Sequence, residues 1–216
     1  MNLECRWRGR WPYAEALDAQ RERRRAVLQG EAAEVVWTLE HPAVITVGRR
    51  ALMAAVDRDA AAAAGVPVQE TERGGLATVH APGQLVAYLI LDLRRRRLTI
   101  PAMVAGMEAA MIDVVATLGV KADRRPGTPG VWVGGEKIGA VGLHIEHGVS
   151  MHGLALNLSP DLSLFGLIVP CGIADAGVCS VKSLMGEAPS PEDMAPALTA
   201  ALKVSLGLLD GPQGGH

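Results

Sequence analysis

Between residues 131 and 158, three apolar stretches (Val131 to Val133, Lys137 to Ile145 and Val149 to Leu158) are joined only by short glycine turns. Links that short can only join antiparallel neighbours, because a parallel crossover needs a dozen or more residues. The chain is thereby committed to an antiparallel set of strands, and the rest of it has to pack around that set. Upstream, Val35 to Leu39 and Val44 to Val47 read as strands from their β-branched content, with His41-Pro42 forcing a break between them. Thr78 to His80 and Leu85 to Leu91 flank the turn Ala81-Pro82-Gly83-Gln84.

Helices separate these strands. Tyr13 to Leu28 follows Pro12 and stops before Gly30, and Asp57 to Ala64 is a short alanine helix ended at Gly65. Pro101 to Leu118 is the long one. Ser190-Pro191-Glu192-Asp193 opens a last helix, running to about Leu206. The pattern predicts an α/β fold of the α+β kind: a mixed, largely antiparallel sheet with helices packed on it, mainly on one face. The 216 residues are read as one domain, 1–216, with a core of about 10–205 and a frayed tail at 208–216. Arg124 to Pro129 is the best internal break and reads as a loop. With only 3 % aromatic residues, the interior must be filled by Ala, Val, Leu, Ile and Met.

Charge and cysteine content exclude several functions. A net charge of −2 gives no surface for nucleic acid. The arginines at 21, 23, 24 and 25 and the run Arg94 to Arg97 read as solvated faces, or else as docking ground for an acidic protein. Cys5, Cys171 and Cys179 cannot form a disulfide framework. Ile100 to Val120 is interrupted by Pro101, Glu108 and Asp113 and reads as a buried helix, not a membrane span. The N-terminus has no apolar leader core, so the expected home is the cytoplasm.

Chemistry is suggested by Gly-Gly-Glu-Lys-Ile-Gly-Ala at 134–140 and Ile-Val-Pro-Cys-Gly-Ile at 168–173. A thiol is nucleophilic as thiolate, and a neighbouring ammonium such as Lys137 favours that form at Cys171. Against this, lone cysteines are commonly buried and inert, and most lysines are solvated. Arg73-Gly74-Gly75 ahead of His80 lets backbone approach a ligand. Arg73 could fork onto a carboxylate or carbonyl, and His80 could donate to one. Strand alternation would place Gly153, Ala155 and Asn157 on one small-residue face and His152, Leu154 and Leu156 on the other. Such a face leaves room for an extended acyl chain, or simply packs a helix. His144, His147 and His152 do not have metal-ligand spacing, so no metal site is expected.

In order along the chain, these segments resemble the lipoyl/octanoyl transferases of the lipoate–protein ligase B family. The matching residues are Leu39-Glu40-His41-Pro42, Gly48-Arg49-Arg50, Arg73-Gly74-Gly75, His80, Pro82-Gly83-Gln84-Leu85, Ile90-Leu91-Asp92-Leu93, Pro129-Gly130-Val131-Trp132-Val133, Lys137-Ile138, Gly142, His152-Gly153-Leu154-Ala155-Leu156-Asn157, Phe165 and Ile168-Val169-Pro170-Cys171-Gly172-Ile173. The resemblance implies a fold related to biotin and lipoate protein ligases, and transfer of an octanoyl group to a lysine. The implied donor is octanoyl-acyl carrier protein. The implied acceptors are lipoyl domains of 2-oxoacid dehydrogenase subunits or the glycine cleavage H protein.

On that resemblance Cys171 carries the acyl group and Lys137 is its acid/base partner. Arg73, Gly74, Gly75, Leu76, Ala77, Thr78, Val79 and His80, with Ala140, Val141 and Gly142 and with Gly153, Leu154 and Ala155, bind the acyl chain. No cofactor is implied, since a thioester arrives activated. Ala81 departs from the family's usual glycine. Two other readings stay open: an ATP-dependent lipoate or biotin ligase on the same fold, and a non-catalytic acyl- or lipoyl-domain-binding module.

Overall fold

The computed structural model describes residues 3–50, 56–168 and 177–208. In chain order these form β1 (Leu3–Arg10), α1 (Tyr13–Gln29), β2 (Glu34–Glu40), β3 (Val44–Val47), α2 (Arg58–Ala63), β4 (Val68–Glu70), β5 (Ala77–His80), β6 (Gln84–Ile90) and α3 (Ile100–Thr117). There follow β7 (Asp123–Arg124), β8 (Val131–Val133), β9 (Glu136–Glu146), β10 (Val149–Asn157), a 3-10 turn (Leu162–Leu167), α4 (Val181–Met185) and α5 (Pro191–Ser205).

One sheet has seven strands in the order β1-β2-β6-β10-β9-β8-β7, and a smaller one runs β4-β3-β5. The meander read from residues 131–158 is present: β8, β9 and β10 pair antiparallel in sequence order. Two pairs are parallel, β1 with β2 and β3 with β4. The tail beyond residue 208 lies outside the described residues.

Helices lie on both faces of the large sheet, where mainly one was expected. On one side α3 and α5 bury Met103, Met107, Met111, Leu198 and Leu202 against Leu85, Leu89 and Leu156. On the other, α1 sets Ala16 and Val27 against Val35, Trp37 and Tyr88. The cause is β1, a strand at the sheet edge in which Cys5 and Trp7 alternate with Arg6 and Arg8. Because β1 and β2 are parallel, α1 is their crossover and must cover a face. Helix α3 has the length and hydropathy of a membrane span. Its Met103, Met107, Ala110 and Met111 are fully buried here in the protein's own core.

The termini of these helices match their sequence signals. Thr99 and Ser190 accept hydrogen bonds from Ala102 N and Asp193 N as N-caps, and Gly30 ends α1 in the left-handed region at φ 76°.

Strand β10 departs from simple alternation. His152 sits at φ 61°, in the left-handed region, within a buried strand. Its N–H donates to Gln20 Oε1 of α1 at 2.9 Å. As a result His152 does not share a face with Leu154 and Leu156, which join the α3 side. Its ring instead meets Tyr88 edge-on, at 6.2 Å between centroids, on the α1 side. Gly153 changes meaning too: a Cβ there would overlap the Ala87 carbonyl oxygen and come within 2.9 Å of Leu89 Cδ1. It is glycine because β6 runs too close, not to leave space for a ligand.

Gly153→Ala should therefore lower unfolding free energy by about 2 kcal/mol or more, as overpacking does. Gly135→Ala, where a Cβ meets nothing within 4 Å, should stay within about 0.5 kcal/mol of the parent. Urea unfolding of the two variants checks the difference.

Candidate active site

The large and small sheets enclose a cavity of about 660 Å³. Three segments named from the sequence meet there. The loop and strand Arg73 to Thr78 with His80, the strand Ala140 to Gly142, and Gly153 to Ala155 all line it, as does Lys137. Val79 is the exception. Alternation on β5 turns it into the core of the small sheet with Ile45 and Phe165, so it is not a wall of the cavity.

Lys137 is placed by backbone. Its N–H donates to Gly177 O at 2.9 Å, and its own carbonyl accepts from Cys179 N at 3.1 Å. Its ammonium donates to Pro129 O at 3.2 Å and lies 4.6 Å from the Trp132 ring centroid, a cation–π contact. The loop above it is held by Glu108 of α3, which accepts from Gly130 N at 2.8 Å and pairs with Arg124 at 3.2 Å. Gly130 has φ 126°, and a Cβ there would press on Gly139 O at 2.5 Å. Only glycine lets Pro129 come down onto Lys137. Neither Glu108 nor Trp132 was given a functional role in the sequence, where one reads as a break in an apolar helix and the other as part of a strand within a family-matching motif.

Cys171 lies outside the described residues, as do Val169, Pro170, Gly172 and Ile173. The residues on either side of that stretch are at the cavity. Ile168 lines it and bridges to Val56; Val178 lines it and bridges to Lys137. Cys179 is 2 % exposed in the α3 core, and burial pushes its thiol up to about 11, so it is protonated and inert at neutral pH.

The α1 side of the cavity is a wall of uncharged rings. Tyr13 stacks on His80 at 5.9 Å, His80 meets His41 at 5.5 Å, and His41 meets Tyr88 at 5.8 Å. His41 Nδ1 is 2.6 Å from Trp11 O, which can only accept, so the proton sits there. Nε2 then accepts from the Tyr88 hydroxyl at 2.7 Å. A second chain fixes His80. Asn157 Nδ2 donates to Cys179 O, Gln84 Nε2 donates to Asn157 Oδ1, and Gln84 Oε1 therefore accepts from His80 Nδ1 at 2.7 Å. That donor is thus spent inside the protein. The neutral ring cannot offer a proton to a substrate carbonyl as the sequence suggested, and its other nitrogen is an acceptor.

Burial holds His41 down at about 4 and His152 at about 3. It drives His80 well below its ordinary value, with His41 adding to the effect. Burial also lifts the Tyr13 hydroxyl to about 12.

Arg73 is committed as well. Its Nη2 donates to Thr46 O at 2.7 Å and to Thr46 Oγ1 at 2.9 Å, and Nη1 donates to Gly74 O. It ties the glycine loop to β3, and Gly74 N in turn donates to Leu143 O of β9 at 2.8 Å. This lays the glycines along the cavity's rim. Ala81 is buried and the turn forms around it, with Gln84 N donating to Ala81 O at 3.1 Å and Gly83 N to Glu40 Oε2 at 2.9 Å.

The arginine clusters largely serve the fold. Arg21 pairs with Glu72 and Asp18, Arg23 with Glu4, Arg24 with Glu146, Arg95 with Asp92 and Arg96 with Glu34. Arg50, exposed, and half-exposed Ile100 also line the cavity.

The fold is shared with lipoate and biotin protein ligases. Similar solved structures include a bipartite lipoate protein ligase of Thermoplasma acidophilum (TM-score 0.70, 19 % identity, 95 % of this chain and 85 % of that one). A biotin protein ligase of Aquifex aeolicus in complex with biotin and ATP is also similar (TM-score 0.58, 8 % identity, 94 % and 70 %). These two show the shared fold.

The family described as the lipoyl protein ligase A/B catalytic domain matches residues 12–203, and the chain belongs to it. Among its relatives are an octanoyltransferase of Novosphingobium aromaticivorans, 42 % identical over 93 % of this chain and 90 % of that protein, and one of Paramagnetospirillum magneticum, 42 % identical over 96 % and 99 %. A third, from an Azoarcus species, is 47 % identical over 83 % and 81 %. The protein is an enzyme of the acyltransferase class.

The ring wall makes stability acid-sensitive. An unfolded histidine titrates near 6.5, whereas the folded cluster stays neutral to about 4 at His41 and 3 at His152. Below pH 6.5 the unfolded chain binds protons that the folded one does not, so stability falls with pH. Between pH 7.5 and 5 the loss should be roughly 2 kcal/mol for each of His41 and His152. Above pH 7 these groups should contribute no slope. Urea midpoints measured across pH 5 to 8 check both arms.

Proposed function

We propose that the enzyme moves an octanoyl group from octanoyl-acyl carrier protein to a lysine of a lipoyl domain, through a thioester on Cys171. The observation that carries this reading is the bracketing of one cavity. Lys137, Ile168 and Val178 all line it, and the last two flank the cysteine's stretch of chain. Cys171 is three residues from Ile168 in the sequence. A cavity of 660 Å³ is in the usual range for a small-molecule site.

In this reading the Cys171 thiolate attacks the thioester carbonyl of the donor, and a tetrahedral oxyanion forms. When it collapses, the carbon–sulfur bond to the carrier breaks and the departing thiolate takes a proton from the Lys137 ammonium. The acceptor lysine's amine then attacks the acyl-Cys171 carbonyl. Lys137, now neutral, takes the amine's proton as Cys171 leaves as thiolate, and the cycle closes with no net redox change. The positive charge of Lys137 favours the thiolate at the start, and its contact with Trp132 and Pro129 O keeps it in place. Burying the alkyl chain contributes about 0.8 kcal/mol per CH₂. An acidic carrier would approach past Arg50, since most of the clustered arginines are engaged within the fold.

Intact mass spectrometry after mixing with octanoyl-carrier protein tests this. Wild type should gain one octanoyl group, lost on adding an acceptor domain, while Cys171→Ser should show no thioester adduct. Lys137→Ala should slow acyl uptake by about 10²–10⁴-fold, the usual size of general acid–base help. Transfer that needs ATP and survives Cys171→Ala would instead favour the ligase reading.

A further inference from the structure

Helix α3 carries one charged side chain on its buried face. Met103, Met107, Ala110 and Met111 of that face pack into the core, and Glu108 among them is only 7 % exposed. A carboxylate taken out of water is costly unless hydrogen bonds satisfy it, so its partners show what it is kept for. Glu108 Oε1 accepts from Gly130 N at 2.8 Å, and Oε2 lies 3.2 Å from Arg124 Nε. Arg124 Nη2 in turn donates to Ala105 O of the same helix at 2.7 Å. Helix α3 thus holds both ends of the connection from β7 to β8.

That connection is what the Lys137 side chain touches. Its Nζ donates to Pro129 O at 3.2 Å and stands 4.6 Å from the Trp132 ring centroid. A Cβ on Gly130 would come within 3.3 Å of Lys137 Cε, so the backbone there also packs on the lysine's stem. The carbonyl of Pro129 and the N–H of Gly130 belong to one peptide unit, which is planar and trans. In a trans amide these two groups point in opposite directions. Glu108 therefore grips one edge of the amide whose other edge receives the lysine. The negative carboxylate faces the N–H and the positive ammonium faces the carbonyl, so both charges are aligned favourably with the amide dipole. The other hydrogen bonds of the loop, from Trp132 Nε1 to Thr128 O and from Thr128 N to Arg125 O, shape it from within and do not tie it to α3.

We propose that Glu108 is a positioning residue for Lys137: by fixing the Pro129–Gly130 peptide, it fixes where the lysine's ammonium stands. This rests on the acyl-transfer reading above, in which that ammonium gives a proton to the departing thiolate and later takes one from the acceptor amine. A lysine head on a flexible four-carbon stem needs such a fixed acceptor to stay in register with the reacting atoms. Displacing a catalytic group by about 1 Å can cost up to 10²-fold in rate.

A double-mutant cycle on octanoyl uptake, followed by intact mass spectrometry, tests the proposal. Glu108→Met suits the methionine surroundings but offers Gly130 no oxygen. It should slow uptake at saturating octanoyl-carrier protein by about tenfold or more, with KM for the carrier within about threefold of wild type. In a Lys137→Ala background the same substitution should change uptake by less than about twofold, because a residue that acts through the lysine has nothing left to position. Glu108→Gln, which keeps an oxygen for Gly130 N, should stay within about threefold of wild type. If Glu108→Met does not fold, Glu108→Asp, which withdraws the acceptor by one methylene, goes through the same cycle. Uptake by the methionine variant within twofold of wild type, an equal loss in both backgrounds as a merely structural role would give, or a glutamine variant as slow as the methionine one would each overturn the proposal. Full-rate uptake by Lys137→Ala itself would instead refute the reading beneath it.

Discussion

The site depends on a short piece of backbone pairing, in which Lys137 donates to Gly177 O and accepts from Cys179 N. The two partners are some forty residues downstream of the lysine in sequence, yet these bonds bring the chain just past Cys171 back against β9. The lysine's side chain adds contacts of its own, among them Pro129 O and the Trp132 ring. Glu108 holds the Pro129-Gly130 loop from α3. Helix α3 is in turn fixed by the methionine core against the large sheet. Sheet, core helix, loop and lysine form one line of support, and the cavity opens at its end.

The opposite wall follows different physics. His41, His80, Tyr13, Tyr88 and His152 are polar, yet burial keeps them uncharged. An alkyl chain can lie against neutral rings at little desolvation cost, whereas a charged wall would hold water. The same burial couples stability to pH, because the neutral cluster resists the protons that an unfolded chain accepts. Arg73, which also lines the cavity, is tied to Thr46 and Gly74, so its charge is directed into the protein framework.

Much of this was legible in the sequence. The meander of β8 to β10, the cap of α5 and the stop at Gly30 rest on local signals, namely glycine turns and cap residues. Most of what escaped depends on distant partners. Strand β1, whose alternation of Leu3, Cys5 and Trp7 with charged residues is a local strand signal, was missed, and with it the parallel pairing to β2 that needs a distant partner. Val79 was grouped with its neighbours because contiguous matching ignores that strand side chains alternate. The orientation of His152 could not be read, since it needs Gln20 on α1 and a tight approach of β6. The arginine clusters read as solvated faces or docking ground, and their ion pairs escaped because only the fold brings Glu4, Glu34, Glu72 and Glu146 to them. The family resemblance suggested the chemistry, and the fold gathers Lys137 and most of the segments it named around one cavity.

The central claim is that Lys137 and Cys171 act as a coupled pair, and the pH dependence of thiol alkylation tests it most directly. Rates of iodoacetamide modification at Cys171, followed by peptide mass spectrometry from pH 5 to 10, should rise with a midpoint well below the roughly 8.5 of an unperturbed cysteine. In Lys137→Met the midpoint should move up by one unit or more, since the ammonium that favours the thiolate is gone. Identical midpoints in the two proteins, at the value of an unperturbed thiol, would contradict the account.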